Sequence, residues 1–224
     1  MKRTLITSKR FLIPACAGLA YLIIFIGLRS EDSATPAGSY IETIDGSASL
    51  AAVQAAIDHL PHTLGQKTRS SGCRVNGPLP DPACTPGAVF SVATTTDICV
   101  EGYSQTVRNV PANLKKKIYK AYGIAYPPPF GTYELDHLVN LSIGGSNDAA
   151  NLFPEAASPA PGFPEKDVVE NYLHQEVCNG HIGLREAQAA IASDWLKIYE
   201  SLDPSDIQSL KAKFKNWAEK GGSA

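Results

Sequence analysis

Four cysteines, Cys73, Cys84, Cys99 and Cys178, follow an N-terminal segment of export type, and together these features favour a fold that disulfides can staple. Phe11 to Leu28 is an uncharged run of 18 residues, preceded by Lys2, Arg3, Lys9 and Arg10 and followed by the polar stretch Arg29 to Ser33. A helix of that length spans about 27 Å at about 1.5 Å per residue, close to the thickness of a bilayer's hydrocarbon core. The cationic flank stays in the cytoplasm, so everything from about Ser30 onward is expected outside it. Ala15 to Ala17 comes too early to be a cleavage site at the end of the run, which favours an uncleaved signal-anchor over a cleaved signal peptide. In the oxidising compartment beyond, an even number of cysteines reads as disulfides rather than buried thiols. Their spacings of 11, 15 and 79 match no compact zinc pattern. Of three possible pairings, the expected one joins Cys73 to Cys84, closing a Pro/Gly-rich loop, and Cys99 to Cys178, tying the middle of the chain to its C-terminal helices.

The 224 residues suffice for one ordinary domain with a tail, or for two small ones. With 44% apolar and 19% charged residues, the chain is neither disordered nor a multi-span membrane protein. The net charge of -2 combines two opposed parts, because all four cations of residues 1–28 precede the first acidic residue, Glu31. The remainder carries 16 basic and 22 acidic side chains, a balance of -6. Bulk polycationic binding of nucleic acid is therefore excluded, whereas a local basic patch is not.

Periodicity and breakers divide the exported part. Leu50, Val53, Ala56, Ile57 and Leu60 predict a helix over Ser47 to Leu60, stopped by Pro61. Gly65 to Pro86 reads as loop, and the β-branched stretch Ala88 to Val100 as one or two strands. Pro111 to Tyr122 is a helix with Leu114, Ile118 and Tyr122 along one stripe. Tyr133 to Gly145 reads as two short strands around a bend, and the segment beyond Asn151-Leu152-Phe153 as a proline-rich loop through Pro164. Helices are predicted for Lys166 to Cys178, Leu184 to Leu202 and Ser205 to Trp217, the last capped by Ser205.

Chemistry concentrates around Asp136-His137. An aspartate beside a histidine at a strand end supplies a hard oxygen ligand and a base that titrates near neutrality. Phosphodiester hydrolysis uses both, a divalent ion to neutralise charge on the phosphate and a base to deprotonate water. Upstream, Arg108 and the helix lysines Lys115, Lys116, Lys117 and Lys120 form a stretch with no acidic residue from Thr106 to Gly131. Such a patch suits the phosphate backbone and not base reading.

Asp136-His137, the apolar strand after it, Gly144-Gly145, Ser146-Asn147-Asp148 and Asn151-Leu152 together resemble the HNH endonuclease motif, whose fold is the ββα-metal finger. Ile98-Cys99, Gly102-Tyr103-Ser104, Tyr133-Glu134, Phe153-Pro154-Glu155, Lys166-Asp167, Glu170-Asn171 and Val177-Cys178-Asn179-Gly180 extend the likeness to an exported bacterial branch of HNH-type proteins, over roughly residues 87 to 200. The resemblance implies His137 as general base and Asn151 as the residue whose side chain braces the loop. It implies Asp136 as a metal ligand, completed from the following helix by Asn171, with His174 as second choice. The implied cofactor is one divalent ion, Mg²⁺ first, with Mn²⁺ or Zn²⁺ as substitutes. DNA is the implied partner, with RNA a second substrate of the same chemistry; no protein partner is predicted. Glu170 is expected at the surface, and His59, His62 and His181 are read as surface or packing residues.

The expected organisation is an α+β protein with a small ββα-metal core surrounded by helices, behind an N-terminal membrane segment. Its parts are a signal-anchor or transmembrane segment (1–29), a linker (30–47), a helix and disulfide-closed loop (48–86), an HNH-type nuclease domain (87–202), and a C-terminal helix and tail (203–224). The leading expectation for function is a metal-dependent endonuclease of low sequence specificity, exported and either membrane-anchored or secreted. The alternative is a catalytically silent module of the cell envelope on the same fold.

Overall fold

A computed structural model describes the backbone of residues 47–221 and the side chains of residues 48–214. The expected anchor and nearly all of the linker lie outside the described residues; among those described, no helix is long and apolar enough to cross a membrane. The described residues are α+β, with helices and one two-stranded antiparallel sheet. We number the helices α1 (Ser47–Asp58), α2 (Thr95–Ile98), α3 (Tyr103–Val107), α4 (Ala112–Ala121), α5 (Phe163–Cys178), α6 (Leu184–Ser201) and α7 (Pro204–Gly221). The strands are β1 (Tyr133–His137) and β2 (Leu152–Ala156), and a 3-10 turn, Leu141–Ile143, lies between them.

One buried cluster runs through these elements. Val53 and Ile57 of α1, Phe153 of β2, Val169 and Leu173 of α5, Ile191 and Trp195 of α6, and Leu210 of α7 all belong to it. Helix α5 lies against both α6 and α7, and α1 packs on α6. The helix of segment 48–86 and the C-terminal helix thus share their core with residues 87–202.

Local chemistry explains most element ends. Helix α5 begins where the Glu165 carboxylate accepts the Gly162 N–H at 2.9 Å, and it stops before Gly180 at φ +78°. Helix α7 is capped by Asp203 in place of the expected Ser205, because the Asp203 carboxylate accepts the N–H of Ser205 at 2.8 Å. Helix α6 is broken at Asp194, whose φ of -165° is extended. Asp194 Oδ1 accepts the Lys197 N–H at 3.2 Å and so caps the second part.

Two strand expectations are corrected. Ala88 to Val100 contains no strand: Val89 makes an isolated bridge to Gly145, and Thr95–Ile98 is the helix α2. The reason is a capping box, in which Thr94 Oγ1 accepts the Asp97 N–H at 3.3 Å and Asp97 Oδ2 accepts the Thr94 N–H at 2.9 Å. These local bonds outweigh the β propensity of the threonines. The second correction moves a strand. The partner of Tyr133–His137 is Leu152–Ala156, which starts before the presumed loop and runs into it, with Glu134 opposite Glu155 and Asp136 opposite Phe153. Pro154 hid it, but a two-stranded sheet has free edges toward which a residue without an N–H can turn.

Between the strands the chain doubles back on itself at Gly145. A Cβ there would lie 1.7 Å from the Val139 carbonyl oxygen, so the position admits no side chain. The disulfides join Cys73 to Cys84 and Cys99 to Cys178, with Cα separations of 5.9 and 5.7 Å, as the sequence led us to expect. They suit an oxidising, extracellular-type environment.

Loop-closure entropy makes these cross-links unequal. Removing the one across 79 residues should cost about 4.5 kcal/mol, against about 2.8 kcal/mol for the one across 11. Urea unfolding of the Cys99→Ala/Cys178→Ala and Cys73→Ala/Cys84→Ala variants measures both, and the first is expected to lose more.

Candidate functional site

β1, the loop, β2 and α5 follow one another along the chain, and the informative side chains lie on them. Alternation along β1 sends Asp136 and His137 to opposite faces. Asp136 turns toward α5, where the Lys166 ammonium donates to its Oδ2 at 2.5 Å. The same ammonium donates to the His137 carbonyl oxygen at 2.9 Å and to Glu170 Oε1. Three acceptors match its three N–H donors, and Lys166 is only 1% exposed. Burial would lower the pKa of Lys166, but Asp136, Glu170 and Glu155 outweigh it and hold the group protonated. Burial likewise opposes ionisation of Asp136, and Lys166 overcomes it, keeping that carboxyl below its usual range.

The other carboxyls here exceed the available positive charge. Glu155 is 1% exposed; no donor reaches either of its oxygens, and its carboxyl stands beside that of Asp136, to which its protonated form can donate. Burial pushes its pKa well up, so it is neutral. Burial also pushes Glu170 up to about 8 and Asp167 up to about 7, with Asp136 adding to both. Glu170 is thus a partly buried partner of Lys166 and not the surface carboxylate expected from sequence.

His137 is 3% exposed, and its Nε2 lies 3.1 Å from Asn147 Oδ1. The orientation of Asn147 follows from two further bonds. Its Nδ2 donates to the Val107 carbonyl at 2.7 Å, and its Oδ1 accepts the Asn109 N–H at 3.2 Å. An oxygen that only accepts requires the proton on His137 Nε2, which leaves the lone pair on Nδ1. Burial lowers the pKa of His137, against the pull of Asp136, so the ring is neutral at pH 7. Asn147 also fastens the histidine to the end of α3, next to Arg108, which is exposed and whose charge is felt at His137.

Asn151, fully buried, uses its whole amide on backbone. Its Oδ1 accepts from Val139 N–H at 2.8 Å and Ala88 N–H at 3.3 Å, and its Nδ2 donates to Val139 and Ser146 carbonyls at 2.8 and 2.9 Å. It clamps the chain that follows His137 to the loop returning to β2.

The other expected ligands face elsewhere. Asn171 donates its amide to the Asp167 carbonyl at 2.7 Å. His174 lies eight residues beyond Lys166 on α5, about 12 Å along the axis at about 1.5 Å per residue. Its Nε2 is 3.1 Å from the Ile98 carbonyl and 3.5 Å from Cys178 Sγ. Asp136, Asn171 and His174 are therefore not brought together here: Asp136 meets the Lys166 ammonium, Asn171 bonds within its own helix, and His174 bonds to Ile98. His174 instead groups with Cys99 and Cys178, which are joined as a disulfide. Of the basic patch, Lys116, Lys117 and Lys120 are exposed on α4 and Lys115 is half-buried. None of them is ion-paired among the described residues. His59 and His62 are exposed, and His181 pairs with Glu176 at 2.7 Å, in keeping with surface roles.

Lys166 and Asn147 are the residues that sequence reasoning missed. A signal for Lys166 was present, because a lysine in the first turn of a helix opposes the macrodipole and an acidic residue stands at i+4. Asn147 carried no comparable mark beyond its place in the motif.

Two outcomes follow for stability. Asn151→Ala leaves buried backbone groups of Val139 and Ser146 unpaired and should cost about 2–4 kcal/mol in urea unfolding. Glu155, Asp167 and Glu170 bind protons more tightly folded than unfolded, so their contribution is full below about pH 4 and is lost as pH rises toward 8. Asp136 acts oppositely, and its contribution is lost in acid as pH falls through its lowered pKa. The urea midpoint should therefore fall between pH 5.5 and pH 8, and Glu170→Gln should flatten that fall.

The chain matches no family model, no curated protein and no solved structure.

Proposed function

We propose that the protein is an exported phosphodiester hydrolase of HNH type, an endonuclease acting on DNA or RNA with little sequence preference. The observation that carries this reading is the neutral His137, held in a single tautomer by Asn147 beside the exposed Arg108. A base of this kind takes a proton from water through Nδ1 as the water oxygen bonds to phosphorus and one ester P–O bond breaks, the leaving oxygen taking a proton from solvent. Arg108 supplies positive charge for the phosphate being attacked, and the exposed lysines of α4 supply it for the flanking backbone. Asn151 and Lys166 fix the chain on either side of the histidine, so the base does not have to be ordered in the transition state. The ββα course of β1, β2 and α5 favours the HNH relationship implied by the motif. Disulfides and the N-terminal sequence favour a site of action outside the cytoplasm, with the anchor retained.

A second reading rests on the burial of His137 and the ion pair at Asp136. A histidine 3% exposed and an aspartate already paired with lysine also suit a catalytically silent envelope module.

Nicking of supercoiled plasmid, measured in Mg²⁺ and in EDTA, distinguishes the two. His137→Ala should reduce nicking at least about 100-fold, the scale of a lost general base. The acid limb of the rate profile should lie below about pH 6.5, the ordinary histidine value. Replacing Lys116, Lys117 and Lys120 with glutamine should weaken DNA binding and lower the salt slope by about 2.7. Absence of nicking under every condition would leave the silent module.

A further inference from the structure

We propose that the Lys166 ammonium is the resident cation of this site, standing between β1 and α5 where the family resemblance puts a divalent ion. The native chain then holds Asp136 and the His137 carbonyl without metal. This deepens the hydrolase reading, and it rests on that reading only for its consequence in catalysis.

The argument begins with coordination. Lys166 Nζ meets Asp136 Oδ2, the His137 carbonyl and Glu170 Oε1, so every ammonium proton has an acceptor. Two of those acceptors are carboxylates and one is backbone, an all-oxygen set of the sort that holds hard cations. A lysine in the first turn of a helix is opposed by the macrodipole and is costly to bury. Its place there makes physical sense when it neutralises carboxyls that would otherwise face one another. Glu155 adds a further carboxyl on the sheet face that carries Asp136. It is buried two residue pairs along the sheet from Asp136, with no donor reaching its oxygens, and the Lys166 charge is felt there. A divalent ion would have to expel an ammonium tethered to α5 and leave it buried elsewhere. Lys166 is accordingly a positioning residue that acts on His137 through its carbonyl.

The test reads metal binding directly, by Mn²⁺ titration followed in the electron paramagnetic resonance signal of the free ion. The native chain should show no saturable Mn²⁺ binding that Asp136→Asn or Glu170→Gln removes. Lys166→Met should gain one saturable site from the freed carboxyls and lose it again when Asp136→Asn is added. A native site abolished by Asp136→Asn would overturn the proposal, as would a folded Lys166→Met variant that gains nothing. Should Lys166→Met not fold by circular dichroism, the native chain against the two carboxyl variants decides alone. Nicking gives a second readout, in which the native rate should be equal in EDTA and in Mg²⁺, and its loss in EDTA would sink the idea. If no nicking occurs at all, the hydrolase reading fails while the Mn²⁺ titration still decides the role of Lys166.

Discussion

The Lys166 ammonium is the interaction on which this arrangement depends. It is buried, it has no spare proton, and its acceptors come from both β1 and α5. Taking a charge out of water is costly, and the cost is offset only where the geometry saturates it. Breaking such a pair from one side leaves an uncompensated charge in the interior, at about 3–5 kcal/mol. The link between α5 and the end of β1 is therefore electrostatic, while Val169 and Leu173 hold the helix in the core. Glu155, Asp167 and Glu170 then hold their protons more tightly than usual, first because burial opposes their ionisation and then because the Asp136 charge adds to it.

A second constraint lies in the loop between the strands. Asn151 clamps Val139 on both its N–H and its carbonyl, while Gly145 admits the Val139 oxygen where a side chain would stand. Asn147 then reaches past this loop to α3 and fixes the histidine ring. The double glycine and the three asparagine and aspartate residues after it thus serve geometry first. Any chemistry at His137 inherits its orientation from them.

Much of the framework was legible in order along the chain. The stripe of Leu114 and Ile118, the glycine after α5 and the closing cysteines are local patterns, and local patterns transfer to structure. Misreadings arose where two local preferences competed. Thr94 to Thr96 carry β propensity and also a cap, and the cap prevailed because its hydrogen bonds form within four residues. Pro154 argued against a strand, yet a sheet of two strands tolerates it. Within the site, Asp136, His137 and Asn151 could be singled out by adjacency and motif spacing. The partners of Asp136 could not, since Lys166 is thirty residues away and its burial depends on packing.

By itself the sequence determined the α+β content, the expectation of two disulfides and the stretch where polar chemistry gathers, because each rests on spacing within a short segment or on cysteine arithmetic. Only the tertiary structure decided that Leu152–Ala156 pairs with β1, that Asn147 chooses the tautomer of His137, and that a lysine meets Asp136 where a metal was expected. Those outcomes depend on which distant groups share a buried volume. Charge balance in a low-dielectric interior is a property of that volume and not of any one segment.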